Sequence, residues 1–448
     1  MRLLLILLLL IGPGLWGQTD AWVPLFNGRD LTGWKQLNGQ AKFEVVNGEI
    51  WGTTVPNTPN SFLATEKIYG DFTLELEFLA DSTMNSGIQF RSESRPDYLG
   101  GRVHGYQMEI DPSDRAWSGG IYDEARRLWL YTLEMNPGAK NAYNRAGWNR
   151  YRVECDGGTV RTFVNGVPAA HLEDTLSTRG FIALQVHSIG RPEDAGKQIR
   201  WRNIRIREGR PSSPTKPPGI FVVNLQPNAL SPEEKAQGVR LLWDGRTSAG
   251  WRGAYKQAFP EKGWQIGEGI LAVLPSAGAE SANGGDIVTE EQFSAFELQF
   301  HFRLTRGANS GVKYFVTETE GNQGSAIGLE YQVLDDSTHP DALQGTAGNR
   351  TLASLYDLIP SFKFGQAYRK IGEWNRGMIR VHPDGRIEHF LNGYKVVEYQ
   401  RGTQMFSALV ARSKYAQWKD FGMAKKGRIL LQDHGDRVEF RSVKIKEL

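Results

Sequence analysis

Carboxylates, amides and imidazoles recur at alternate positions within short apolar segments of this 448-residue chain. In Gln107-Met108-Glu109-Ile110-Asp111 a strand would put Gln107, Glu109 and Asp111 on one face and the apolar residues on the other. The same parity pairs Gln89 with Arg91 after Asn85-Ser86-Gly87, and Gln185 with His187 at the end of Leu184-Gln185-Val186-His187. A second set follows later, with Lys313 after Asn309-Ser310-Gly311, then Glu330 with Gln332, and Gln432 with His434. Carboxylates and imidazoles can abstract protons near neutral pH, and amides and cations can hold hydroxyl groups or a developing oxyanion. The candidate catalytic residues are therefore His187, Glu109, His434 and Glu330. The candidate substrate-binding residues are Arg91, Gln89, Gln107, Asp111, Tyr122, Gln185, Lys313, Gln332 and Gln432. Tyr122 belongs to an aromatic run with Trp117, Trp129 and Tyr131, whose ring faces suit sugar rings. The competing reading of these polar stripes is an ordinary solvated outer face.

Other chemistries find less support. His104, Glu109, Asp111, Asp114 and His187 could ligate a metal, but their spacing matches no zinc or calcium loop. No metal ligand is assigned and no cofactor is expected; a divalent ion such as calcium is the one addition left open. A Gly-x-Ser-x-Gly elbow, a phosphate loop and a dinucleotide fingerprint are all missing from the sequence. The net charge is +3 with basic and acidic residues interspersed, which excludes a nucleic-acid backbone as the expected partner.

The elements that would carry these residues occur twice. Leu25-Phe26-Asn27-Gly28-Arg29 with Gly33-Trp34 matches Leu242-Trp243-Asp244-Gly245-Arg246 with Gly250-Trp251. The two Asn-Ser-Gly segments match, as do Ile121-Tyr122-Asp123 and Leu355-Tyr356-Asp357, and Trp148-Asn149-Arg150 and Trp374-Asn375-Arg376. Asn165-Gly166 matches Asn392-Gly393, each between apolar runs, a strong hairpin signal. The dominant period is two, as in Phe72, Leu74, Leu76 and Phe78, and helical periods are short. The expected architecture is all-β: two jelly-roll β-sandwich domains in tandem, over 20–208 and 223–448, joined by a Pro/Ser/Gly linker at 209–222. A short lead-in helix is predicted after Ser231, with Pro232 at its first position, Glu234 completing a capping box and Gly238 stopping it.

Residues 1–18 read as a signal peptide, with Arg2, an apolar Leu/Ile run and Gly17 near the expected cleavage point. The run is too short for a membrane span. The expected location is secreted or periplasmic, with no stable membrane insertion after cleavage. Cys155 is the only cysteine, so neither core can rest on an internal disulfide, and a packed side chain is its expected role.

Both copies resemble the 3-keto-disaccharide hydrolase domain family, which has a concanavalin A-like sandwich. The resemblance is carried in the second copy by Asn309-Ser310-Gly311, Gly328-Leu329-Glu330-Tyr331-Gln332-Val333-Leu334-Asp335-Asp336, Gly372-Glu373-Trp374-Asn375, Phe390-Leu391-Asn392-Gly393 and Leu431-Gln432-Asp433-His434-Gly435. The first copy carries the same landmarks more loosely. The resemblance implies an exported carbohydrate-active protein that cleaves glycosides oxidised at C3. A non-catalytic tandem carbohydrate-binding protein is the alternative. An ordinary glycosidase is a third reading, and would need paired carboxylates across a cleft. The sequence leaves the oligomeric state open.

Overall fold

A computed structural model describes residues 21–211, 219–276, 280–319, 326–363 and 367–448. The expected signal peptide and residues 212–218 of the expected linker lie outside the described residues. No helix among the described residues is long and apolar enough to cross a membrane.

Each copy is a sandwich of two mostly antiparallel sheets. In the first copy, the sheet that carries the polar stripe has seven strands. Their order is Leu128–Tyr131, Ile121–Glu124, His104–Ile110, Ser86–Glu93, Phe181–Val186, Ser61–Thr65 and Trp34–Leu37. Its partner is nine-stranded and is centred on Phe72–Ala80, which pairs with Asn149–Asp156 on one side and Gln198–Glu208 on the other. Phe72, Leu74, Leu76 and Phe78 from one sheet and Ile88, Phe90, Tyr106 and Met108 from the other are all buried in the core between them. The second copy repeats the plan with an eight-stranded and a five-stranded sheet. The five-stranded one runs Trp251–Gly253, Ile287–Thr289, Arg428–Leu431, Asn309–Val316 and Leu329–Leu334.

The turn signals correspond to real turns. Asn165 and Gly166 have φ of 50° and 85°, and Asn392 and Gly393 have φ of 51° and 90°, the positive values that a two-residue hairpin turn requires. The lead-in helix spans Pro232–Ala236. Ser231 Oγ accepts from the Glu234 amide and Glu234 Oε2 accepts from the Ser231 amide, closing the capping box. The buried Glu234 carboxylate also accepts from Lys444 Nζ at 2.9 Å and from Asn224 Nδ2 at 2.6 Å, which ties the helix to the last strand of the chain. Cys155 is buried and burial pushes its thiol up to about 12, in keeping with a packed side chain.

Removing one member of a buried ion pair costs far more than removing a cap. Glu234→Ala should lower the unfolding free energy by about 3–5 kcal/mol by stranding the Lys444 ammonium, against about 1 kcal/mol for Ser231→Ala. Urea denaturation followed by tryptophan fluorescence measures both. Equal losses would show that Lys444 is stable without Glu234.

Candidate functional site

The side chains of the first polar stripe converge on a cavity of about 830 Å³ on the seven-stranded sheet. Gln107, Glu109, Gln185 and His187 line it, as their strand parity predicts, and so does Tyr122 of the aromatic run. Asn60, Asn85, Arg102, Arg115, Glu124 and Trp129 line it too, and strand parity gave no sign of them because most come from loops or edge strands.

Glu109 is the best defined of these groups. Its carboxylate accepts from Asn85 Nδ2 at 2.7 Å and from Gln107 Nε2 at 2.8 Å. Gln107 Oε1 in turn accepts from Gln89 Nε2 at 2.6 Å, and Gln89 Oε1 accepts from Ser92 Oγ at 2.7 Å, so the hydroxyl and both amides have fixed orientations. Burial pushes the Glu109 carboxyl up to about 7, against the pull of the Asn85 and Gln107 hydrogen bonds; Asp111 adds to the rise and Arg115 opposes it. Two positions along the same strand, Asp111 behaves oppositely. Burial would raise it too, but Arg115 (Nε at 2.8 Å) and the Ser113 and Trp117 hydrogen bonds hold it below the usual carboxylate range. These two acids therefore do not form a matched pair flanking a scissile bond.

His187 Nδ1 lies 2.6 Å from the Ser188 carbonyl, which requires Nδ1 to donate and leaves Nε2 as the acceptor in the neutral ring. Both side-chain polar atoms of Gln185 are buried without a hydrogen-bond partner. An amide in a cavity wall with neither atom partnered suits a ligand that supplies both.

Three of the expected binding residues are placed elsewhere. Arg91 is fully buried and donates to Gly70 O, Gly157 O and Asp71 Oδ1. A β-bulge between Phe90 and Glu93, with Arg91 at φ 47°, breaks the alternation and turns its side chain to the loops at the sandwich end. Gln89 lies behind Gln107, and Asp111 is occupied in anchoring Arg115. Among the aromatics, Trp117, Trp129 and Tyr131 are packed against one another or the core, so a broad stacking platform does not form.

The second copy has a cavity of about 390 Å³ lined by Lys313, Glu330, Gln332, Gln432 and His434, all expected from the sequence. Glu280, His339, Tyr356, Lys414, Tyr415 and Trp418 complete it. Strand register explains the exchanged acid and amide. Gln89 pairs with Gln107 and Gly87 with Glu109, whereas Lys313 pairs with Glu330 and Gly311 with Gln332. The carboxylate has moved by one cross-strand pair and gained a cation opposite it. Burial alone would push the Lys313 ammonium down, but Asp286, Glu330 and Glu280 hold it up. Burial raises Glu330 against the pull of Lys313 and Lys414, and takes Asp286 to about 6. In both copies a side chain in place of the glycine would displace the polar group beside it. A Cβ at Gly87 would lie 2.3 Å from Gln107 Cδ, and one at Gly311 would lie 2.1 Å from Glu330 Oε1.

At the rim of the second cavity His339, His434 and Asp436 each offer a ligand atom within 4.8 Å of the others, and His171, Glu173 and Glu233 do the same near the lead-in helix. Either group could hold a metal ion. Both draw residues from separated segments, which is why no sequence spacing indicated them. Two imidazoles at the first group suit a transition ion better than the calcium considered from sequence.

A family model for the 3-keto-alpha-glucoside-1,2-lyase-like domain matches residues 21–207 and 238–446. The chain belongs to that family, twice over. A 3-keto-disaccharide hydrolase of Bacteroides thetaiotaomicron is 36% identical over 234 residues, covering 48% of this chain and 79% of that protein. A solved structure of a candidate glycosyl hydrolase from Parabacteroides distasonis ATCC 8503 is 30% identical, with a TM-score of 0.43, and covers 50% of this chain and 100% of that one. A second candidate glycosyl hydrolase structure from the same organism is 24% identical, with a TM-score of 0.32, covering 44% and 99%.

Folding raises the Glu109 pKa above its unfolded value of 4.5, so the native state holds this proton more tightly than the unfolded chain does. The stability this contributes is fully present below pH 4.5 and is lost as the pH rises through about 7. Thermal melts should therefore show wild type losing stability relative to Glu109→Gln across that window. A constant difference from pH 4 to pH 8 would mean that Glu109 titrates normally.

Proposed function

We propose that the first copy cleaves glycosides oxidised at C3, with Glu109 as the general base. The observation that carries this reading is a buried carboxyl titrating near neutrality in the wall of a sugar-sized polar cavity. Family membership and the activity named for the Bacteroides relative support it.

The chemistry needs few groups. A ketone at C3 acidifies the C2 proton. Glu109 takes that proton, the C2–H electrons form the enolate, and collapse of the enolate expels the C1 oxygen with its electron pair. The departing alkoxide takes up a proton and leaves as the alcohol, and C1=C2–C3=O remains. Addition of water, hydroxide to C1 and a proton to C2, gives the free 3-keto sugar and makes the overall reaction a hydrolysis. Arg115 supplies positive charge for the enolate oxygen, and Gln185 and Tyr122 bind hydroxyls. His187, whose Nδ1 is held by the Ser188 carbonyl, binds a sugar hydroxyl through Nε2. The second copy is read as a related sugar site with altered selectivity, in which Glu330 and His434 are the titratable candidates. Residues 1–18 support an exported location, secreted or periplasmic.

A carbohydrate-binding role without cleavage is the second reading. The three-membered wall of Gln107, Gln185 and Tyr122 would serve it equally well.

The mature protein should release sugar from a 3-keto-disaccharide and not from its unoxidised parent. Glu109→Gln should lower kcat/KM by about 10²–10⁴-fold and abolish solvent-deuterium exchange at C2, while His187→Asn retains exchange. Exchange that survives in Glu109→Gln and disappears in His187→Asn would transfer the base to His187. Binding without exchange or cleavage in wild type would favour the second reading. The rate should rise with pH to a plateau above about 7, as Glu109 loses its proton.

A further inference from the structure

The cavity of the first copy is not built by the first copy alone. Its aromatic end lies against the second copy. Arg115, a cavity-lining cation, rests its guanidinium over Trp117 at 4.5 Å and Trp129 at 5.1 Å from the ring centroids. The two indoles meet edge to face at 4.8 Å and form a corner. Asp111 holds the Nε side of the guanidinium at 2.8 Å, and Nη2 lies 4.0 Å from Glu109 Oε1. Tyr394 also packs on Trp117, meeting it edge to face at 5.2 Å. Tyr394 belongs to the second copy, directly after the Asn392-Gly393 turn, and is buried there.

The same turn region grips the strand that carries Trp129. Leu128–Tyr131 is an edge strand of the seven-stranded sheet and, among the described residues, pairs only with Ile121–Glu124, through a bulged register. Its outward carbonyls would normally face water. Here Arg369 Nη2 donates to Trp129 O at 3.0 Å and Arg376 Nη2 donates to Leu130 O at 2.6 Å, while Thr132 Oγ1 donates to Gly393 O. Among the described residues neither arginine forms an ion pair with a carboxylate. Burial, with Arg369 and Arg127 nearby, pushes the Arg376 guanidinium down to about 9. Two half-buried guanidiniums committed to backbone carbonyls of one strand are costly to place, and what they fix is the position of that strand.

We propose that Tyr394 of the second copy is a positioning residue for the first copy's cavity: its ring braces Trp117, and the Trp117–Trp129 corner so braced sets the Arg115 guanidinium beside Glu109. The tandem arrangement then has a use independent of the second cavity, because the first cavity takes its working shape only when the second domain is docked. The brace is a matter of packing; its effect on turnover rests on the reaction proposed above. The titratable and charged groups that act on Glu109 are Asp111 and Arg115 from its own strand and the following loop, Tyr122 from the neighbouring strand, Tyr151 from the opposite sheet and Tyr394 from the second copy. Of these, Arg115 is the cation, so loosening it removes the charge that favours the Glu109 carboxylate.

The test uses the full chain with Tyr394→Phe and Tyr394→Leu, and Trp117→Phe as a second way to remove the corner, each checked for an unchanged thermal unfolding profile. The first readout is the Glu109 titration by carboxyl ¹³C NMR, assigned by its loss in Glu109→Gln, and it requires no substrate. Tyr394→Leu and Trp117→Phe should move the midpoint upward from about 7, and Tyr394→Phe should leave it in place. The second readout is turnover of a 3-keto-glycoside, where Tyr394→Leu should lower kcat by about 10- to 100-fold with little change in KM and Tyr394→Phe should retain it. An unchanged midpoint and unchanged kcat in folded Tyr394→Leu would overturn the proposal, as would a Phe variant that fails like Leu. A shifted midpoint in a protein that cleaves no 3-keto-glycoside would leave the brace standing and remove the reaction.

Discussion

A carboxylate surrounded by neutral donors in a low-dielectric wall keeps its proton to neutral pH, and the first cavity is organised around that constraint. Glu109 receives hydrogen bonds from two amides, which orient it without supplying a full countercharge. The nearest guanidinium is held 4.0 Å away and committed to Asp111. Had Arg115 closed on Glu109 as it does on Asp111, the pKa would have fallen and a proton acceptor poised near neutrality would be gone. The chain Ser92–Gln89–Gln107–Glu109 and the bare Gly87, over which the Gln107 side chain lies, serve the same end.

The second copy shows what happens when that arrangement shifts by one cross-strand pair. The acid becomes Glu330, the residue opposite becomes Lys313, and the amide moves to Gln332. A buried acid facing a buried lysine is a different electrostatic object, with the cation shared among Asp286, Glu330 and Glu280. The backbone beneath is the same: the glycine, the bulge at Arg91 or Phe315 and the hairpin turns all recur. Duplication kept the scaffold, and the side chains on it diverged.

The two sandwiches are joined by specific contacts. Arg369 and Arg376 of the second copy cap the edge carbonyls of the first copy's sheet, and Tyr394 packs against its tryptophan corner. A sheet edge exposed beside a binding cavity would be a weak wall, and here a second domain of the same fold covers it.

The sequence by itself determined the duplication, the β-sandwich class, the Asn-Gly hairpins, the capped lead-in helix and part of the set of strand-borne residues that line each cavity, with Gln89, Arg91 and Asp111 placed elsewhere. These rest on local rules: side chains alternate along a strand, and only certain residues adopt positive φ. For that reason Gln107, Glu109, Gln185 and His187 could be grouped in advance, as could Glu330, Gln332, Gln432 and His434. Arg91 broke the rule because one bulge residue inverts parity, and a bulge has no reliable signature in a single sequence. Only the tertiary structure decided that Glu109 and Asp111, two residues apart, titrate in opposite directions, that Arg115 and Trp129 reach the cavity, that His339, His434 and Asp436 meet, and that Tyr394 packs on Trp117. Each of these depends on distances between segments far apart in the chain and on how much water is excluded between them, quantities that no local pattern encodes.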